Sequence, residues 1–302
     1  MTKFAYFGSS IISVHVLDEL ERFGHVPSLI VTTPDKPVGR KLVMTPNPVK
    51  VWGNARSIPV LDPAKLDNAF VSALSDLMKP AASSEGTGIS LFIVMSYGKI
   101  IPQAVLDLPK HKTLNIHPSI LPKYRGASPI KSAILDDAKD TGVTIMRIDA
   151  EMDHGPIVAQ REVHISEWLI NEEMEKLMAH EGAELLASVI EPWAAGKIPE
   201  IEQDHAAATF TKKFAKEDAE IRESDIADRP YETFRKIQAF HDWPSVYFFA
   251  ENKSADGSIA KTRVKITAAA YSKENDALTI ERVIPEGRSE MPYSQFLAGR
   301  TI

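Results

Sequence analysis

Apolar positions along this chain keep two rhythms, and the change between them marks its organisation. Short apolar runs at 4–7, 28–32 and 90–95 predict strands, and the continuous run at 90–95 is consistent with a sheet covered on both faces. After Gly8-Ser9-Ser10, Ile12, Val16, Leu17 and Leu20 recur at helical spacing. Strand, tight turn and helix in this order predict a parallel α/β sheet, whose ligands bind at the carboxyl ends of its strands. The pattern adds a brief strand at Val60–Leu61, a helix from Asp67 to Met78, a helix from Pro102 to Leu106 and a strand from Thr113 to Ile116. A helix at 130–135, strands at 142–148 and 157–163, and an amphipathic helix from Asn171 to Ile190 follow; Met174, Leu177, Met178, Leu185, Leu186 and Val189 share its apolar face.

Past residue 190 the rhythm breaks. Residues 192–208 carry Pro, Gly and Ala and read as a linker. A helix from Tyr231 to Phe240 is expected next. Short strands at 246–250, 263–268 and 277–283, with a Pro285-Glu-Gly287 turn, then predict a small β barrel or sandwich. The expected organisation is therefore 1–190, a linker at 191–207, and 208–302.

Composition limits the function classes. The 302 residues are 44% hydrophobic and 25% charged, an ordinary globular profile. The net charge of −6 does not announce a nucleic-acid binder, but it is uneven. Residues 208–302 hold 15 basic and 15 acidic side chains, which leaves the whole deficit on the N-terminal part. Without cysteine the chain has no disulfide, no thiolate metal site and no cysteine nucleophile. Polar residues interrupt the apolar N-terminus, so a signal peptide is not expected, and no apolar run approaches a membrane span. The expectation is a cytoplasmic monomer with no membrane partner.

Two stretches stand out chemically. Residues 115–130 carry Pro118, Pro122 and Pro129, which stiffen the chain after an Asn115-Ile-His117 opening. Two apart in an extended segment, Asn115 and His117 leave the same face, and an amide with an imidazole aimed at one point makes an oxyanion site. Asp153 follows another strand and would reach the same rim of a parallel sheet, where a carboxylate beside the imidazole favours the imidazolium. Asp149 and Glu151 are equal rivals on strand alternation. The second stretch, 34–48, is a long proline-rich loop with Lys36, Arg40 and Lys41, and Lys50 just beyond, facing only Asp35. It reads either as a solvated surface loop or as an arm for phosphates. The nine histidines show no ligand spacing, which argues against a metal. Neither a full G-x-G-x-x-G, a G-x-S-x-G nor a P-loop is present.

Asn115-Ile-His117-Pro-Ser119-Ile120-Leu121-Pro122, with Arg125-Gly126, closely resembles the signature of the formyltetrahydrofolate-dependent formyltransferases. Thr141-Gly-Val-Thr-Ile-Met146 followed by Asp153-x-Gly155 is similar to that family's second block. Pro34 to Arg40, then Pro46-x-Pro48-Val-Lys50, narrows the resemblance to the branch whose acceptor is initiator methionyl-tRNA. Ser96-Tyr97-Gly98 through Pro102 resembles the folate-side loop, and Ala239-Phe-His-Asp-Trp243-Pro244 the C-terminal domain. The resemblance implies a Rossmann-like parallel-sheet N-terminal domain and a small C-terminal OB-like β barrel that contacts tRNA. It implies 10-formyltetrahydrofolate as formyl donor, with Asn115, His117 and Asp153 catalytic. Ser119, Ile120, Leu121, Pro122, Tyr97 and Gly98 would line the folate side, and Lys36, Arg40 and Lys41 would meet the tRNA. Ile120 stands where leucine is usual, a volume-conserving change. A nucleotide-linked amino sugar is the alternative acceptor, since such enzymes share the triad and folate loop; Arg40 and Lys41 suit a phosphate backbone better. An inert α/β domain attached to an RNA-binding barrel is a third reading, which convergent polar groups in a cleft argue against.

Overall fold

A computed structural model describes residues 1–39, 41–79, 87–253 and 259–300. The strands in chain order are β1 Phe4–Gly8, β2 Leu29–Val31, β3 Lys36–Val38, β4 Val43–Thr45, β5 Val60–Leu61, β6 Leu91–Met95, β7 Thr113–His117, β8 Arg125–Gly126, β9 Asp140–Arg147, β10 Ile157–His164, β11 Phe210–Thr211, β12 Tyr247–Lys253, β13 Ile259–Ser272, β14 Ala277–Pro285 and β15 Met291–Pro292. The α-helices are α1 Ile11–Arg22, α2 Pro48–Ala55, α3 Asn68–Met78, α4 Gln103–Leu106, α5 Pro129–Leu135, α6 Asn171–Ala194, α7 Asp225–Asp228, α8 Pro230–Ala239 and α9 Tyr293–Ala298. Two compact units emerge. One holds Met1–Gly126, Asp140–His164 and Glu175–Phe210; the other holds Ala127–Lys139, Ile165–Met174 and Thr211–Ile302.

The first unit is built on a seven-stranded sheet in the order β10-β9-β7-β6-β1-β2-β5. Every residue of β1 and β6 is buried, as their unbroken apolar runs require of central parallel strands. Parallel pairing runs from β5 through β2, β1 and β6 to β7. The chain leaves β1 towards β2 and β5, then returns to β6 on the other side. That reversal opens a crevice between the carboxyl ends of β1 and β6. Helix α1 buries Ile12, Val16, Leu17 and Leu20. Helix α3 starts at Asp67, whose carboxylate accepts from Phe70 N–H at 3.1 Å. In α6, Gly182 lets the helix meet β7: a Cβ there would stand 2.7 Å from Ile116 Cγ2.

Beyond β7 the sheet departs from the expected pattern. β9 pairs antiparallel with β7, Leu114 against Arg147 and His117 against Thr144, and β10 pairs antiparallel with β9. The chain therefore leaves β9 at the amino end of β7, not at the carboxyl rim. The expectation that Asp153 reaches His117 from a parallel neighbour is corrected here: the turn after β9 has to lead back by three residues of strand, about 10 Å. The direct succession of β9 and β10 accounts for their own antiparallel pairing, because a short connection joins antiparallel strands, whereas parallel ones need a crossover.

Residues 34–48 also differ from a plain loop. β3 and β4 pair antiparallel, Lys36 against Thr45 and Val38 against Val43, and form a hairpin. Asn47 holds its base: its amide donates to Thr33 O at 2.6 Å, and its oxygen accepts from Lys50 N–H at 3.1 Å as the cap of α2.

The second unit carries a four-stranded antiparallel sheet, β12-β13-β14-β15. Its core gathers Ile237 and Phe240 by α8, Val246 and Phe248, Val264 and Ile266, Ile280 and Val283, and Phe296. Alternation along β13 and β14 puts one face inward and leaves the other polar. Among the described residues no helix is long and apolar enough to cross a membrane.

Candidate active site

Asn115 and His117 lie on β7, the first half-buried and the second buried. His117 Nε2 stands 2.9 Å from Tyr124 O. A carbonyl oxygen only accepts, so this nitrogen carries the hydrogen and Nδ1 is the one free to exchange a proton. Nδ1 faces Asp153 Oδ1 at 3.7 Å, with side chains 5% and 17% exposed. The separation is too long for a hydrogen bond, yet the low exposure leaves little solvent screening between the two. No hydrogen-bond partner for the Asn115 side chain occurs among the described residues.

Asp153 owes its position to a constrained turn. Its φ of 50° lies in the left-handed region, which Asp tolerates better than most residues. Gly126 N–H donates to Asp153 Oδ2 at 2.7 Å. At Gly155 a Cβ would fall 1.9 Å from Arg147 O, so only glycine closes the turn this tightly. The rival carboxylates are occupied elsewhere: Asp149 bonds His154 Nδ1 at 2.8 Å, and Glu151 lies exposed 4.0 Å from the other nitrogen of that ring.

The stretch 119–122 is held by polar contacts within the sheet. Ser119 is buried and donates its hydroxyl to Lys123 O at 2.7 Å, so its side chain fastens the loop and does not face outward. Thr144 donates to Ser119 O at 2.7 Å and accepts from Leu121 N–H at 3.1 Å. Gln160 donates to Leu121 O at 2.8 Å. Leu121 is buried, Ile120 and Pro122 are partly exposed, and the Leu121–Pro122 bond is cis. Sequence reasoning misses both Thr144 and Gln160: the first sits unremarked inside a quoted motif, and the second carries no signal.

Tyr97 and Gly98 follow β6 at the same rim. Ser9, just past β1, donates to Tyr97 O at 3.0 Å and so ties the two strand ends together. Gly98 is exposed with φ of 77°. The Tyr97 ring is buried edge-on against Phe7, centroids 5.6 Å apart, and its hydroxyl has no partner among the described residues. Burial pushes that hydroxyl up to about 12.

The basic stretch is less basic than its composition suggests. Lys50 bridges Asp35 and Asp62 at 2.8 and 2.7 Å, and these bonds hold its ammonium above the usual lysine range. Lys36 and Lys41 remain exposed on the hairpin, whereas Arg40 lies outside the described residues. Beside them Leu42, Val43 and Met44 are 69%, 60% and 61% exposed. Among the described residues no group of three His, Cys, Asp or Glu side chains is placed to hold a metal ion.

An amide, an imidazole and a carboxylate thus meet at the rim of a mostly parallel sheet, and the family comparison gives the chain a class. The model of the formyl transferase family matches residues 2–190, and the chain belongs to that family. Among curated relatives, the methionyl-tRNA formyltransferase of Halalkalibacterium halodurans is 34% identical over 313 residues, covering 98% of this chain and 94% of the relative. Solved structures share the fold at low identity. A methionyl-tRNA formyltransferase from Clostridium thermocellum gives a TM-score of 0.57 at 13% identity, covering 94% of this chain and 99% of that one. An N-formyltransferase from Helicobacter canadensis, in complex with folinic acid and dTDP-3-aminofucose, gives 0.60 at 18%, covering 90% and 88%.

Proposed function

We propose that this chain transfers the formyl group of 10-formyltetrahydrofolate to the amino group of methionyl-initiator-tRNA, for translation initiation in the cytoplasm. The observation that carries the reading is the approach of Asp153 to His117 Nδ1 at 3.7 Å beside an uncommitted Asn115 amide, in a chain alike over its whole length to a methionyl-tRNA formyltransferase. The partly exposed Ile120 and Pro122, with Gly98, offer an apolar, open rim suited to a folate ring system.

The donor supplies a formyl carbon bonded to a nitrogen that can leave. The acceptor amine forms a bond to that carbon, and the carbonyl electron pair moves onto oxygen. Asn115 donates its amide N–H to this oxygen. His117 Nδ1 takes the proton that the amine sheds, with the carboxylate of Asp153 stabilising the imidazolium. The same proton passes to the departing nitrogen as its bond to carbon breaks, which restores the imidazole. Fixing Nε2 on Tyr124 O keeps the ring in one orientation throughout.

Lys36, Lys41 and Arg40 would meet the acceptor stem. The domains would divide as 1–190 for catalysis and 208–302 as an OB-like tRNA contact, joined by 191–207 in a monomer. Lys261, Arg263 and Lys265 alternate along β13 and would supply the second contact. The deciding assay gives the protein 10-formyltetrahydrofolate with charged initiator tRNA in one arm and nucleotide-linked amino sugars in the other. Formylation confined to the tRNA arm is expected; formylation of the sugar alone would overturn the reading.

A further inference from the structure

The segment between α6 and β11 has the composition of a linker, yet Gln203 within it is only 5% exposed. All four of its hydrogen-bonding positions are in use. Its Oε1 accepts from Arg125 Nε at 3.1 Å and Nη2 at 2.7 Å, while its Nε2 donates to Asp153 O at 2.9 Å and Gly155 O at 2.7 Å. The orientation of the amide follows from chemistry: a guanidinium only donates and a carbonyl only accepts, so the reverse orientation would break every one of these bonds.

These four bonds join the two segments that define the place of Asp153. One is the turn itself, gripped at Asp153 O and Gly155 O. The other is Arg125-Gly126, whose Gly126 N–H donates to Asp153 Oδ2 at 2.7 Å. Arg125 is 3% exposed, and besides Gln203 its Nη2 meets His205 Nδ1 at 2.9 Å. We propose that Gln203 is a positioning residue that sets where the Asp153 carboxylate stands against His117. This rests on the reading of Asp153 as the carboxylate that works with His117. A displacement near 1 Å at such a site costs up to about 100-fold in rate.

A merely structural glutamine would lower stability and leave turnover per folded molecule alone. Two variants separate the cases. Gln203→Glu keeps an acceptor for Arg125 but removes both N–H donors to the turn; Gln203→Met removes all four bonds. Formyl transfer from 10-formyltetrahydrofolate to charged initiator tRNA is measured with kcat and both KM values, beside thermal melting and the 1H–15N resonance of Gly126. In folded Gln203→Glu, kcat is expected to fall about 10- to 100-fold with both KM values within about threefold, because an interaction that matters in the transition state is removed. The Gly126 amide resonance is expected to move as its bond to Asp153 changes. Adding Asp153→Asn to Gln203→Glu is expected to cost little beyond Asp153→Asn alone, since both act through one carboxylate.

Wild-type kcat and an unmoved Gly126 resonance in Gln203→Glu would overturn the inference, as would effects that multiply in the double variant. If Gln203→Met melts below the assay temperature, Gln203→Glu decides, because it retains the bond to Arg125. A wild-type protein without formyl transfer, but with the Gly126 shift in Gln203→Glu, would remove the functional reading and leave the positioning role standing.

Discussion

The turn that carries Asp153 and the hairpin that carries Lys36 and Lys41 both project from the sheet of the first unit, and they are built in opposite ways. Gly126 N–H and the Gln203 amide hold the turn, and Gly155 closes it against Arg147 O. The hairpin is held at its base, through Asn47 and the Lys50–Asp35 pair, and exposes Leu42, Val43 and Met44. A carboxylate that works on one proton needs a fixed distance, and a turn gripped at Asp153 and Gly155 supplies it. Interactions with a polyanion act through charge over several ångströms and tolerate movement. On the proposed function, the contrast separates a chemical station from a docking arm.

The largest effect should come from the chemical station. His117→Ala or Asp153→Asn is expected to lower kcat by about 100- to 1,000-fold, as removal of a group engaged in the transition state does elsewhere. Circular dichroism and thermal melting should stay near wild type. A folded variant with near-normal single-turnover rate would break the comparison at its stronger end. An intermediate effect belongs to the arm. Replacing Lys36 and Lys41 together by alanine should raise KM for tRNA several-fold with kcat unchanged, and reduce the slope of log affinity against log salt by roughly 0.7–0.9 for each phosphate no longer neutralised. An unaltered salt slope would mean that the hairpin meets no phosphate.

The smallest effect lies at the rim, where Tyr97 departs from the rule of satisfied groups. Tyr97→Phe deletes a buried hydroxyl that has no partner among the described residues, and should leave stability at neutral pH unchanged or raised by about 1 kcal/mol. Its pH dependence has a definite sign. Folding raises the hydroxyl from 10.0 to about 12, so the native state holds this proton more tightly than the unfolded chain does. That contribution is complete below pH 10 and disappears as pH climbs through 12. Urea titrations across this range should show wild type losing stability relative to Tyr97→Phe; parallel curves would contradict the burial of that hydroxyl.

Much of this arrangement can be read from residue order. The apolar runs of β1 and β6 and the helical spacing of α1 are plain, because central parallel strands and an amphipathic helix each imprint a period. Asn115 and His117 share a face because strand alternation requires it. Asp153 is legible as a candidate but its route is not: nothing local distinguishes an antiparallel β9 from a parallel one, and Asp149 and Glu151 look equivalent until hydrogen bonds tell them apart. The β3–β4 hairpin is hidden because its strands are three residues long and β3 is interrupted by Pro37. The neutralised Lys50 is hidden because Asp62 lies twelve residues away. Gln203 leaves no trace at all, since a lone glutamine in Pro/Gly/Ala-rich chain signals nothing until its partners are seen.

The Gln203 bonds also bear on where the chain can be shortened. The stretch matched by the family model ends at residue 190, and it contains Asn115, His117 and Asp153. A polypeptide stopped there would lack Gln203, His205 and the strand pairing of Ile201 with Ile157. Arg125 would then lose both of its side-chain acceptors, Gln203 and His205. A shortened chain that is to keep every bond around Arg125 therefore has to reach past Thr209, whose carbonyl receives Arg125 N–H at 2.9 Å.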